Sequence, residues 1–145
     1  MEELKLEDVI EVINQSKTII EVELAGIRTG INILLNPELN KKAEEIADNK
    51  EILKLLIKIL DKAFNSYYMN ENIINLFLVD SKGFTSYFNL YKSNIHELIN
   101  SINELDKFKE LESVPEMEDI KNAVGMEFSL EKLTKCYELL NKELN

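Results

Sequence analysis

A chain of 145 residues with 45% apolar content carries enough hydrophobic side chains for one domain around one core, 1–145. Its net charge of −10, from 27 acids against 17 bases, disfavours direct nucleic-acid binding, which needs clustered Lys and Arg to neutralise phosphates. The longest strongly apolar stretch, Ile52 to Leu60, is interrupted by Lys54 and Lys58 and falls far short of the roughly 20 apolar residues that span a bilayer.

Leu6, Val9, Ile10 and Ile13 follow the spacing of one helical face, so a short first helix is expected over about 5–15. The stretch 18–35 reads two ways. With a period of two, Ile20, Val22 and Leu24 alternate with Glu21 and Glu23, and Ile31, Ile33 and Leu35 alternate again beyond Gly26 and Gly30. With a helical period, Ile20, Leu24, Ile27, Ile31 and Leu34 form one stripe. The β-hairpin reading is preferred, because β-branched residues dominate and each glycine weakens a helix by roughly 1 kcal/mol.

Asn36-Pro37-Glu38 has the order of a helix start, and a helix to about Ala47 is expected, followed by an Asp48/Glu51 capping box. The next helix, about 49–68, is apolar around most of its circumference apart from the stripe Lys50, Lys54, Lys58 and Lys62, which predicts a nearly surrounded core helix. Two β-rich runs, 73–79 and 84–91, flank Asp80-Ser81-Lys82-Gly83 and predict a second hairpin with a type I turn. Asn94 and Glu97 read as a capping box for a helix to about Lys109, Ser113-Val114-Pro115 as the start of a short helix ending near Gly125, and Ser129 as the cap of a last one. The expected fold is therefore α+β, mostly helical: about six helices packed with a small antiparallel sheet from two β-hairpins, about 18–35 and 73–91.

Reactive side chains are scarce. His96 is the only histidine, and His96-Glu97-Leu98-Ile99-Asn100 lacks the second histidine of a zinc-protease helix. Cys136, the only cysteine, permits no intramolecular disulfide and lies among Leu133, Tyr137 and Leu140 as a small hydrophobe. Asp80-Ser81-Lys82-Gly83 lacks the glycines and the Lys-Ser/Thr helix start of a phosphate-binding loop. No catalytic residue, cofactor or metal site is expected. The acidic first residues, Met1-Glu2-Glu3, do not have the pattern of a secretory signal, and with the single cysteine this points to the cytoplasm.

The charge is uneven: residues 1–24 carry −5, residues 25–96 carry +1 and residues 97–145 carry −6. If both acidic blocks fold to one side, they merge into a field that steers a basic partner. The expected function is a non-enzymatic acidic protein-binding module, such as a small inhibitor, an immunity or antitoxin-like protein or a phage or mobile-element accessory factor. Its partner would be a larger protein with a basic surface, nucleic-acid-binding proteins being one such class, and no membrane is involved. Glu116, Glu118 and Asp119 are the candidate partner-binding carboxylates, and Tyr87 and Tyr91, expected on the outer face of a strand, are the candidate aromatic contacts. The alternative is a structural or assembly protein that self-associates as a homo-oligomer.

Overall fold

The computed structural model describes residues 6–79 and 81–144, and among them there is no β-strand. Four long helices, α1 (Leu6–Leu34), α3 (Lys50–Val79), α4 (Ser81–Glu104) and α6 (Val124–Leu144), are joined through two short ones, α2 (Ala43–Asp48) and α5 (Met117–Lys121). Two 3₁₀ turns, Leu105–Lys107 and Lys109–Leu111, follow α4. The α+β expectation is thus overturned: 18–34 of the first predicted hairpin lie in α1, and 73–79 and 81–91 of the second lie in α3 and α4.

The helical period won because it buries more. In α1, Ile20, Leu24, Ile27, Ile31 and Leu34 are all in the core, whereas Val22, which the hairpin reading placed beside Ile20 and Leu24, is 63% exposed. In α4, Phe84, Phe88, Tyr91, Ile95, Leu98 and Ile102 form a buried stripe at spacings of three and four. β-branched and aromatic residues favour strands mainly through the packing that a pleated surface offers, so a continuous helical stripe outweighs that preference. Each such side chain contributes roughly 1.5–3 kcal/mol on full burial, more than the fractions of a kcal/mol by which they disfavour a helix.

Cross-helix partners fix the directions. Between α1 and α3, Lys17 faces Glu71 while Arg28 lies 5.6 Å over the Phe64 ring. Between α3 and α4, Lys62 pairs with Glu97 at 2.7 Å and Asn70 Nδ2 donates to Tyr91 OH at 3.3 Å. Glu23 of α1 lies against Gly125 of α6, and the Asp8 charge reaches Cys136. In each pair the numbers rise along one helix as they fall along the other, so these neighbours are antiparallel. With Phe84 of α4 on Tyr137 of α6 at 4.9 Å, the ring closes in the order α1, α3, α4, α6. This is an up-and-down four-helix arrangement, and the segments 35–49 and 105–123 both cover the same end of it.

Polar groups inside the ring hold α3 to α4. Asn94, expected at a helix start, is instead buried in the middle of α4, where its Nδ2 donates to Lys62 O and to Ser66 Oγ, both at 2.7 Å. Ser129, expected as a cap, is likewise buried within α6, its hydroxyl unpartnered. The cap of α3 is Asn49, one residue past the expected Asp48: its Oδ1 accepts from Glu51 N and Ile52 N. Asn36 starts a turn and no long helix, since its Oδ1 accepts from Glu38 N and its carbonyl from Asn40 N. Asn40 then returns its Nδ2 to the carbonyl of Leu34 at 2.9 Å, which closes the end of α1. Nor is α3 nearly surrounded, for Ile57 is 67% exposed.

Gly26 and Gly30 explain themselves here. A Cβ at Gly30 would meet Ile120 Cγ1 at 2.9 Å and the backbone oxygen of Glu116 at 3.1 Å, and one at Gly26 would lie 3.3 Å from the backbone oxygen of Asp119. The two glycines form a notch in α1 into which α5 is pressed backbone to backbone. At Gly125 the nearest atom is the carboxylate tip of Glu23, 3.0 Å away, which can move. Gly30→Ala is therefore expected to cost about 1–3 kcal/mol in urea melts despite the helix propensity gained, whereas Gly125→Ala should be neutral or stabilising by up to about 1 kcal/mol.

Candidate protein-binding cap

The two segments that cover one end of the bundle carry half of the chain's net charge. Taken by element, α1 carries −3, the segment 35–49 −2 and the segment 105–123 −3, while α3 carries +1, α4 is neutral and α6 carries −1. In the two cap segments Glu38, Glu44, Glu45, Asp48, Glu112, Glu118 and Asp119 are exposed, with Glu110 and Glu116 half-buried. The segments are tied together by Lys42, whose Nζ donates to the carbonyl of Glu112 at 3.1 Å. Because α5 sits in the glycine notch, Glu116, Glu118 and Asp119 are held beside the Gly26 to Gly30 stretch of α1. Glu44/Glu45 and Glu118/Asp119 lie far apart in the chain, and nothing in their spacing signals that they share one end.

A cleft of about 410 Å³ opens in this cap. Its apolar lining is Leu105, Phe108, Leu111, Val114 and Met117, and its polar lining includes Asp106, Glu112, Glu118 and Lys121. Lys121 is held at its edge by Asp106 at 2.6 Å, which leaves Glu112 and Glu118 as carboxylates without a cation in the cleft's lining. Apolar walls under a carboxylate rim suit a Lys or Arg side chain, whose methylenes bury while the charged head stays at the rim. Ser113, also in the lining, has φ 61°, the left-handed region that residues with a Cβ rarely occupy.

The aromatic candidates fare differently. Tyr91 is fully buried, its phenol pushed well above the ordinary range by burial and only partly brought back by the hydrogen bond from Asn70. Tyr87 is half-buried, with its hydroxyl accepting from Asn72 Nδ2 at 3.1 Å. On a helix, residues four apart share a face, and this one turns toward α3. The exposed Tyr87/Tyr91 patch expected from strand alternation does not exist.

His96 is exposed in mid-α4, not in a first turn. With Lys92 it lines a second groove, about 340 Å³, between α4 and α6, opposite Glu127, Glu131, Lys135 and Glu138. Charges of both signs alternate there, so the groove favours neither anion nor cation. Cys136 is buried, its thiol pushed up by burial and by the Asp8 charge, the reverse of an activated nucleophile. Among the described residues no three His, Cys, Asp or Glu side chains are grouped to hold a metal ion, and no helix is long and apolar enough to cross a membrane. Asp80 lies outside the described residues; Ser81 to Gly83 begin α4, so the expected turn is absent there.

The architecture is that of a four-helix bundle with an acidic, cleft-bearing cap. Comparison with family models, curated proteins and solved structures finds no match for the chain.

The Ser113 conformation is local to the cleft and gives a direct probe of it. Ser113→Gly removes the Cβ penalty and should raise stability by about 0.5–1 kcal/mol in urea melts, while Ser113→Val should lower it by about 1–3 kcal/mol.

Proposed function

We propose that this chain is a non-enzymatic acidic protein-binding module that engages a basic surface of a larger protein through its cap. The observation that carries the reading is the cleft itself: an apolar floor beneath Glu112 and Glu118, at the end of the bundle where the surrounding segments are also acidic. A Lys or Arg anchored there gains both burial and charge pairing, and the wider acid of α1 and the cap would speed encounter. Inhibitors, immunity proteins and accessory factors of phages or mobile elements work in this manner, occupying a basic site on a partner. The exposure of His96 in mid-α4 and the burial of Cys136, which pushes its thiol up, support the non-enzymatic part of the reading.

The experiment is co-purification from native cells at low and high ionic strength, followed by binding measurements on the recovered protein. Binding should weaken steeply with added salt, and the double variant Glu112→Lys/Glu118→Lys should reduce affinity at least about a hundredfold while Glu44→Lys/Glu45→Lys, exposed elsewhere on the cap, slows association with less effect on dissociation. Binding that is indifferent to salt and to the cap variants would overturn the assignment.

A further inference from the structure

The cleft in the cap carries its own indication of which cation suits it. The basic side chain in its lining is Lys121, and that ammonium is paired with Asp106 at 2.6 Å, where the two side chains are 48% and 55% exposed. It keeps to the wet edge, away from the buried floor of Leu105, Leu111, Val114 and Met117. Such is the behaviour of a compact, strongly hydrated charge, which holds its water unless a site replaces every hydrogen bond.

Phe108 is the aromatic residue of the lining. It is half-buried and also lines a neighbouring groove of about 320 Å³, so its side chain stands between two openings. The two openings differ in charge. In the groove Lys54 and Lys107 are matched by Glu51 and Glu104, whereas in the cleft Glu112 and Glu118 have no base to match them once Lys121 is on Asp106. Elsewhere Arg28 lies 5.6 Å over the Phe64 ring and Lys92 5.9 Å over Phe88, but among the described residues no cation of the chain lies over Phe108. An occupant of the cleft therefore meets an aromatic ring, an apolar floor and two carboxylates. A guanidinium suits all three: planar and weakly hydrated, it stacks on a ring while its forked N–H donors point outward in its plane to carboxylates. An ammonium would repeat the arrangement of Lys121 and Asp106 at the edge.

We propose that the cleft selects arginine over lysine on the partner's basic surface, with Phe108 as the residue that sets the preference. The inference rests on the cap reading and adds to it the identity of the anchoring side chain. Coulomb attraction to Glu112 and Glu118 is common to both cations, so the preference comes from the ring and from the lower cost of drying a guanidinium.

Fluorescence anisotropy of the full chain with two labelled peptides of equal length and charge, one alternating Arg and Gly and the other Lys and Gly, tests it at about 0.15 M salt. The arginine peptide should bind about tenfold more tightly. Phe108→Leu keeps an apolar side chain but removes the ring, and it should bring the two affinities within about twofold by weakening the arginine peptide alone. Phe108→Tyr keeps the ring and should keep the preference, with far-UV circular dichroism of both variants matching the parent chain. Equal affinities for the parent chain would overturn the arginine assignment and leave the cap reading standing. A preference that survives Phe108→Leu, or that Phe108→Tyr abolishes, would overturn the role of Phe108, and failure of either peptide to bind would overturn the assignment as a whole. The cap reading fails on a different result: both peptides bind, and Glu112→Lys/Glu118→Lys weakens neither.

Discussion

Everything distinctive about the covered end of this molecule depends on one close approach, α5 lying backbone to backbone in the notch that Gly26 and Gly30 cut into α1. A bundle of four amphipathic helices needs no such contact to bury its core. The contact is what sets the segment 105–123 beside α1, with Ile120 fully buried and Glu118 and Asp119 left outward. The acid of the cap is therefore positioned by two residues that have no side chain. A longer residue at either position would push α5 off and move the carboxylates with it.

Those same glycines were the strongest sequence argument against a helix through 18–35, and the reason the argument failed is physical. The cost of about 1 kcal/mol per glycine is a property of the isolated helix, whereas a close crossing gains dispersion contacts that only a glycine permits. Helix stability in a folded chain comes chiefly from the packed stripe, and the stripe Ile20, Leu24, Ile27, Ile31, Leu34 was visible in the sequence as the competing period. In 73–91 the period was equally readable from Phe84, Phe88 and Tyr91, but the β-rich composition and the Asp80-to-Gly83 turn residues masked it. Capping motifs misled for a related reason. Asn94 and Ser129 have the chemistry of caps, yet polar residues that bond across a bundle look the same in sequence as polar residues that bond to a helix start.

What the sequence did convey was the core membership of most apolar positions, the shortage of reactive groups and the acidity of the first and last blocks. It did not convey that the last block divides. Residues 105–123 hold −3 and close one end of the bundle, while α6 itself holds only −1 and its outward charges are balanced. A tally over 97–145 merges these two surfaces, although the fold assigns them to different faces. The segment 35–49, which lay in a block counted as +1, belongs with the acidic end. Sequence proximity is a poor guide to a field that acts through space.

This division has a consequence for how the molecule can meet others. A strongly acidic protein is kept apart from its own kind by long-range repulsion that falls off over about 10 Å at moderate salt, and only a locally neutral patch escapes it. The cap, rich in carboxylates around its cleft, carries the like charge that repels a copy of itself. The outer stripe of α6 has the opposite character, balanced in charge and exposing Phe128 and Val124. The two surfaces differ in sign, in apolar content and in place. Added salt screens the field of the cap more than that of the charge-balanced stripe.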